Sequence, residues 1–100
     1  MKVLQQHIEQ IKALCTANKV DSLFAFGSVT TNAFTEQSDV DLLVDIHDSD
    51  PISYTEKYFE IKFKLQEILN RKIDLLEQKS LKNKYLIQEI DQTKVLIYGT

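Results

Sequence analysis

Two short motifs in this chain combine residue types that can bind phosphate and metal. Gly27-Ser28 follows an apolar run, and Asp39-Val40-Asp41 opens a second apolar run after ten intervening residues. Side chains at positions i and i+2 of a β-strand point to the same face, so Asp39 and Asp41 are predicted to project side by side. Neighbouring carboxylates repel each other unless a cation or a shared proton lies between them. No basic residue is close to the pair in sequence, which favours a divalent metal such as Mg²⁺.

A third acidic residue completes a candidate site. Asp74 lies in Ile73-Asp74-Leu75-Leu76, a short apolar run that is typical of another strand. If this strand neighbours the strand of Asp41, three carboxylates converge beside the Gly27-Ser28 turn. Three acids, two metal ions and a turn that admits a phosphate chain suit phosphoryl transfer, because the metals stabilise the attacking and leaving oxygens. The sequence therefore predicts a metal-dependent site for phosphoryl transfer.

Each of these residues also has a simpler interpretation. Asp39 and Asp41 can be solvated acids at a strand entrance, although a buried, unpaired carboxylate at Asp41 would be costly. Gly27-Ser28 can be a tight turn followed by a helix N-cap, and Asp74 can be a surface residue of an edge strand. Asp45 has the strand parity of Asp41 but is interpreted as a solvated strand end. The combined spacing favours a shared site over these separate explanations.

Length and composition limit the class of protein. One hundred residues with 43% apolar content predict one globular domain, residues 1–100, with a modest core. The net charge of −3 argues against strong nucleic-acid binding, but not against a nucleotide held through metal ions. The single Cys15 excludes an intrachain disulfide, and no apolar stretch reaches membrane-spanning length. We expect a cytoplasmic protein, since no signal peptide follows Met1.

The order of predicted elements is that of a small α/β (α+β) domain, with a mixed sheet and helices packed on one face of it. Periodicity predicts an amphipathic helix over residues 2–18 and a long helix from 52 to about 70. Ser80 is the predicted N-cap of a helix over 81–91, and a short helix over 28–32 follows the glycine turn. The predicted strands cover residues 23–26, 40–46, 72–77 and 94–98, the last of them at an edge.

The long helix carries aromatic residues beside its apolar stripe. Phe59 and Phe63 are predicted to widen that stripe toward the core. Exposed aromatics on the same helix, such as Tyr54 and Phe59, are alternatively a dimer or partner surface, which leaves a homo-oligomer open.

Together the motifs resemble those of the minimal nucleotidyltransferase family of the DNA polymerase β-like superfamily. That family carries Gly-Ser, a spacer like the one found here, Asp-x-Asp, and a later single Asp on a following strand. Gly27, Ser28, Asp39, Asp41 and Asp74 match these positions one for one. The resemblance covers nearly the whole chain, and it implies that the first three strands are adjacent in the sheet.

The resemblance also implies an activity. Members transfer AMP, or another nucleoside monophosphate, from ATP or another NTP to an acceptor hydroxyl. Asp39 and Asp41 would bind two Mg²⁺ ions, Asp74 would bind the catalytic ion, and Gly27 and Ser28 would hold the triphosphate. Minimal members resemble the antitoxins of HEPN/MNT toxin–antitoxin pairs, so the implied acceptor is a helical HEPN-type toxin.

One departure from the family pattern leaves alternatives open. Many members have an arginine directly after Gly-Ser, whereas this chain has Val29-Thr30-Thr31 there and Arg71 as its only arginine. Thr30, Thr31 and backbone amides are expected to compensate in part. One alternative is a catalytically weak or inactive antitoxin that neutralises its partner by binding. Another is a small nucleotide-binding subunit of a larger assembly. The three intact acids favour the enzyme.

Overall fold

The structure, a computed structural model, describes residues 1–99. Its centre is a four-stranded sheet with the order β3-β2-β1-β4, which confirms the predicted α+β class and the edge position of the last strand. Short 3-10 turns, Gly27–Thr30 and Gln78–Ser80, follow β1 and β3. The strands are β1 (Val20–Phe26), β2 (Val40–Ile46), β3 (Ile73–Glu77) and β4 (Val95–Gly99), and the helices are α1 (Lys2–Gln5), α2 (Ile8–Ala17), α3 (Pro51–Leu69) and α4 (Lys84–Thr93).

The strand register brings the predicted motifs into neighbouring positions. β2 pairs antiparallel with β1 and parallel with β3, so it lies between them. Phe26, the last residue of β1, is opposite Asp41, and Asp41 is opposite Asp74. The adjacent order of the first three strands, which the family resemblance implied, is confirmed.

β2 is apolar toward both faces of the sheet. Leu42 and Val44 belong to the larger core, which α2 and α3 cover, whereas Leu43 packs with Phe26 and with Ile90 of α4. Because successive strand residues face opposite sides, α4 covers the face opposite to α2 and α3. The prediction that the helices pack on one face is therefore wrong. The apolar run indicated burial on both faces, but it did not indicate which helix covers the second one.

Two boundaries near the N-terminus differ from those predicted. The helix predicted over residues 2–18 is interrupted at His7, where the backbone (φ −122°, ψ 20°) is not helical. Apolar positions continue at helical spacing across this break, so periodicity alone did not reveal it. The first strand begins at Val20 instead of residue 23, because the polar Ser22 is buried within the strand next to a register shift.

Asn83, and not Ser80, caps α4. The Asn83 side chain accepts hydrogen bonds from the N–H groups of Tyr85 at 2.9 Å and Leu86 at 3.1 Å. Ser80 instead donates its hydroxyl to Glu77 Oε2 at 3.1 Å in the turn after β3. Serine and asparagine are N-cap residues of similar strength, so residue type did not distinguish the two positions.

The apolar stripe of α3 is narrower than predicted. Ile61 and Leu65 are fully buried, but Phe59 and Phe63 are 43% and 56% exposed. Their rings stack on each other with centroids 5.7 Å apart, and they do not join the core. Along residues 1–99, neither α3 nor any other helix combines the length and apolarity needed to span a membrane.

Asp45 is not the solvated strand end that its position suggested. Its Oδ1 atom is inaccessible to solvent and lies 3.5 Å from Lys79 Nζ. Lys79 also donates to the Ile46 carbonyl at 2.8 Å and lies 5.8 Å from the centroid of the Tyr54 ring. Lys79 therefore neutralises Asp45 near the end of β2, and the basic side chain has a structural partner there.

Asp48 ties the end of β2 to the start of α3. Lys57 Nζ donates to Asp48 Oδ2 at 2.7 Å, and the Ser53 hydroxyl and the Asp50 N–H also donate to this carboxylate. These donors, Lys57 foremost, hold the pKa of Asp48 well below its ordinary value.

We expect Asp48→Asn to lower the thermal unfolding midpoint at pH 7. A depressed pKa means that the stabilising contribution of Asp48 is present above its ordinary pKa of 3.8 and is lost as the pH falls below it. The difference between wild type and variant should therefore shrink between pH 7 and about pH 2.5 in calorimetric scans. Glu67→Gln, which removes an exposed ion pair with Lys64, is the matched control and should change little at either pH. An undiminished difference in acid would contradict this account.

Candidate active site

Gly27 begins a tight 3-10 turn at the end of β1. Its φ of +72° is in the left-handed region, which glycine adopts without the steric cost of a Cβ atom. The Thr30 hydroxyl donates to the Gly27 carbonyl at 2.7 Å, and the Gly27 N–H donates to Thr93 Oγ1 at 3.2 Å. The turn is therefore fixed both internally and against the last residue of α4.

The carboxylate of Asp41 lies against Gly27. A Cβ atom placed on Gly27 would be 2.7 Å from Asp41 Oδ2, which is closer than real Cβ atoms approach. Glycine is therefore needed here for a second reason besides φ, the close approach of an acidic side chain. The structure brings Gly27 and Asp41 together as the motif predicted.

Asp74 and Asp39 lie on either side of Asp41. Asp74 is the partner of Asp41 in the parallel ladder, and both residues have the strand parity that faces α4. Asp39 precedes β2 and is exposed, and its Oδ2 atom lies 3.8 Å from Lys72 Nζ. The three predicted acids are thus neighbours along two paired strands, and the outermost one already has a cationic contact.

Burial and neighbouring acids disfavour a charge on Asp41. Partial desolvation raises the pKa of Asp41 above its ordinary value, and the carboxylates of Asp74, Asp39 and Glu89 raise it further. Within residues 1–99, no lysine, arginine or histidine forms an ion pair with Asp41. Either a proton or an added cation would relieve this repulsion.

The carboxylates of Asp39, Asp41 and Asp74 are of the type that binds a hard divalent cation, but their side chains are not close enough together to form a complete metal site. Among residues 1–99, no three His, Cys, Asp or Glu side chains are grouped closely enough to hold a metal ion. Asp39 instead contacts Lys72. Carboxylate oxygens are the ligands that Mg²⁺ prefers, and the raised pKa of Asp41 fits a side chain that a cation would stabilise. Metal binding by Asp39, Asp41 and Asp74 stays a prediction.

Three residues around the site were not predicted from the sequence. Lys72 contacts Asp39, Thr93 accepts a hydrogen bond from Gly27, and Glu89 adds negative charge near Asp41. Thr93 and Glu89 come from α4, which is distant in sequence and carries no recognisable motif. Only Lys72 had a usable signal, because it directly precedes the strand of Asp74.

Comparison with known proteins identifies the class to which this fold belongs. A family model of the nucleotidyltransferase domain matches residues 7–97, so the chain belongs to that family, and the resemblance drawn from its motifs is confirmed. "Putative protein adenylyltransferase MJ0126" of Methanocaldococcus jannaschii is 33% identical over 96 residues, which cover 96% of this chain and 92% of that protein. Protein adenylyltransferase MntA of Thermococcus cleftensis is 32% identical over 84 residues, which cover 76% of this chain and 82% of that protein.

Solved toxin–antitoxin structures share the fold. A crystal structure of a toxin–antitoxin with AMP-PNP matches with a TM-score of 0.71 and 26% identity, over 93% of this chain and 73% of that one. A complex of tri-AMPylated Shewanella oneidensis HEPN toxin with MNT antitoxin matches with a TM-score of 0.66 and 25% identity, over 96% of this chain and 72% of that one. The chain is therefore a nucleotidyltransferase that resembles antitoxins.

Asp41→Asn should raise the thermal unfolding midpoint of the metal-free protein at pH 7. The folded-state pKa of Asp41 is raised, so the protein loses stability as the pH rises from the ordinary value of 3.8 through that folded pKa. Removing the charge should recover this stability at pH 7, and the gain should disappear near about pH 3. Asp45→Asn, on the same strand face but next to Lys79, should give no such gain. A loss of stability at pH 7 in Asp41→Asn would refute the repulsion described here.

Gly27→Ala should lower the free energy of unfolding by about 1–3 kcal/mol, since alanine must adopt a left-handed φ. It must also displace the Asp41 carboxylate. In an Asp41→Ala background this second cost is absent, so the effect should be smaller by at least about 0.5 kcal/mol in a urea double-mutant cycle. An Asp45→Ala background should show no such coupling. Equal costs of Gly27→Ala in all backgrounds would mean that the close approach has no energetic effect.

Proposed function

We propose that this chain transfers AMP from ATP to a hydroxyl group of a partner protein, as the antitoxin of a toxin–antitoxin pair. The proposed partner is a helical HEPN-type toxin, the proposed metal is Mg²⁺, and the proposed compartment is the cytoplasm. Family membership supports the reaction class, and relatives named protein adenylyltransferase support a protein acceptor. The complex that contains a tri-AMPylated HEPN toxin supports this kind of partner.

The position of Asp41 carries this proposal. Its carboxylate lies against the glycine turn, and Asp74 is its partner in the ladder. A cation held by Asp41 would therefore be within reach of a phosphate seated on the turn Gly27–Thr30. Burial and the neighbouring carboxylates raise the pKa of Asp41, and no cation among residues 1–99 pairs with it, which suits a site whose counter-ion arrives with the nucleotide.

The three aspartates of the site would have different roles in metal binding and proton transfer. Asp39, Asp41 and Asp74 would hold two Mg²⁺ ions, and Asp39 would exchange its exposed contact with Lys72 for metal. Bound Mg²⁺ polarises the transferred phosphate and lowers the pKa of an acceptor hydroxyl. Asp74 is exposed, and it would accept the proton from an incoming hydroxyl.

The turn would hold the triphosphate without a basic side chain. The Ser28 side chain is half-exposed, and the first N–H groups of a helical turn lack helical partners. The Gly27 N–H is already bonded to Thr93, so it would orient the turn and would not bind phosphate itself. With no arginine beside the turn, metal ions would supply most of the positive charge that binds the nucleotide.

A second candidate function is neutralisation by binding alone. Three observations favour it. No arginine follows Gly27-Ser28, Asp39 contacts Lys72, and the acids of residues 1–99 are not grouped into a ready metal site. A chain of this kind would keep the fold and bind its partner without transferring a nucleotide.

Incubation with labelled ATP, Mg²⁺ and the protein encoded by the adjacent gene should place label on that protein. Asp39→Asn/Asp41→Asn and Asp74→Asn should each lower the rate of transfer by at least about 100-fold, since bound metals contribute several kcal/mol to transition-state stabilisation. Chelation of the metal by EDTA should have the same effect on the wild type.

Asp45→Asn is the matched control, because it removes a charge from the same strand face, at a carboxylate that lies beside Lys79 and not beside the glycine turn. It should transfer label at nearly the wild-type rate. Tight binding and neutralisation without label, in wild type and double variant alike, would refute the enzymatic proposal and leave the binding antitoxin.

A further inference from the structure

Arg71 contacts the loop that leads into Asp39. It lies between the end of α3 and the start of β3, and its Nη1 atom donates to the carbonyls of Thr35 at 3.0 Å, Glu36 at 3.2 Å and Ser38 at 3.1 Å. Its guanidinium carbon lies 4.5 Å from the centroid of the Phe34 ring. The side chain therefore contacts almost the whole segment 34–38, which we call the Asp39 loop.

The Asp39 loop has little regular structure of its own. Within it, the Thr35 N–H donates to Ser38 Oγ at 3.1 Å, and the Ser38 N–H donates to the Thr35 carbonyl at 3.1 Å. Such a short turn cannot by itself set the direction in which the chain enters β2. Phe34 anchors one end by packing against the main core, and the Val40 N–H anchors the other by donating to the Lys72 carbonyl at 3.1 Å.

Guanidinium chemistry matches this task. The two N–H groups of Nη1 are shared among the three loop carbonyls, and the planar guanidinium also stacks on the Phe34 ring. Lysine would keep the charge and could still donate to carbonyls, but it lacks the flat face that stacks on Phe34. Charge-assisted hydrogen bonds to carbonyls are stronger than neutral ones, so Arg71 can hold a loop that is otherwise exposed.

We infer that Arg71 is a positioning residue, which holds the Asp39 loop so that Asp39 enters β2 on the side of the glycine turn. The inference rests on the proposed function for its catalytic consequence, but the loop contact itself does not. Arg71 acts through the backbone of residues 35–38 and needs no contact with nucleotide or metal. Arg71, the only arginine of the sequence, thus positions Asp39 although it is not part of the Asp39-Val40-Asp41 motif.

Hydrogen–deuterium exchange of the metal-free protein tests the structural part. In Arg71→Ala, the amides of residues 35–40 should exchange at least about tenfold faster, while those of β1 and α3 keep wild-type rates. Arg71→Lys should give exchange rates between those of wild type and Arg71→Ala, because the ammonium can still donate to carbonyls but lacks the flat face that stacks on Phe34. Lys64→Ala is the matched control, since it removes an exposed cation of α3 that pairs with Glu67, and it should leave these amides unchanged. Unchanged exchange in Arg71→Ala would overturn the inference.

Label transfer to the partner protein tests the catalytic part. Arg71→Ala should lower kcat by about 10- to 100-fold, as expected for a misplaced catalytic group, and any rise in the KM for ATP should be smaller than this fall in kcat. Added guanidinium ion at low millimolar concentration should restore part of kcat in Arg71→Ala and none in Asp39→Asn. A change confined to KM would assign Arg71 to nucleotide binding and overturn the positioning role.

The two parts fail separately. If the wild type transfers no label, the proposed function fails while the exchange experiment still decides whether Arg71 holds the loop. If wild type is active and Arg71→Ala has normal kcat despite a mobile loop, the proposed function stands and the inference about Arg71 is wrong.

Discussion

Asp41 keeps a carboxylate half-buried in the middle of the site, without a cation partner among residues 1–99 and with three other carboxylates adding to its unfavourable charge. That arrangement is destabilising by itself, so it persists only because the sheet fixes it. The neighbours of Asp41 across the two ladders are Phe26 and Asp74, and neither pairing can shift by one residue without turning Asp41 and Asp45 toward the larger core beneath α2 and α3.

The opposite face of β2 supplies the stability that holds this register. Leu42 and Val44 are 1% and 0% exposed beneath α2 and α3. Burial of each such side chain contributes about 1.5–3 kcal/mol, which together exceeds what repulsion among partly solvated acids can remove. The same strand is therefore a core element on one face and an acidic surface on part of the other. The fold imposes the charge cluster, and the aliphatic core tolerates it.

The features that followed from the sequence are those set by local chemistry and strand parity. Alternation placed Asp39 and Asp41 on one side, and the spacing to Gly27 indicated a shared site. The packing of α4 on the second face was not predictable, because Ile90 looks like any other apolar helix position until its partners Phe26 and Leu43 are known. The break at His7 was hidden for a similar reason, since its apolar neighbours keep helical spacing on both sides.

Polar contacts between residues distant in sequence were also not predicted. Arg71 was noted in sequence only because arginine is missing after Gly27-Ser28 and occurs nowhere else. Its hydrogen bonds to the carbonyls of residues 35, 36 and 38 depend on backbone groups, which have no sequence signature. Thr93 was not predicted for the same reason, since its hydroxyl oxygen accepts a hydrogen bond from the backbone N–H of Gly27. Sequence patterns thus indicated the candidate catalytic residues, but not the residues that hold them in place.

The contrast between Asp41 and Asp45 bears most directly on function. Both lie on β2 with the same strand parity, and both are partly buried. Asp45 has Lys79 at 3.5 Å, so the chain can place a lysine next to a carboxylate on this face. Within residues 1–99, Asp41 has Gly27 and three neighbouring acids, Asp39, Asp74 and Glu89, in place of such a lysine. A protein that only needed to fold and bind a partner would gain stability from a cation at Asp41, whereas the proposed site, which would take its cation with the substrate, would leave Asp41 without one.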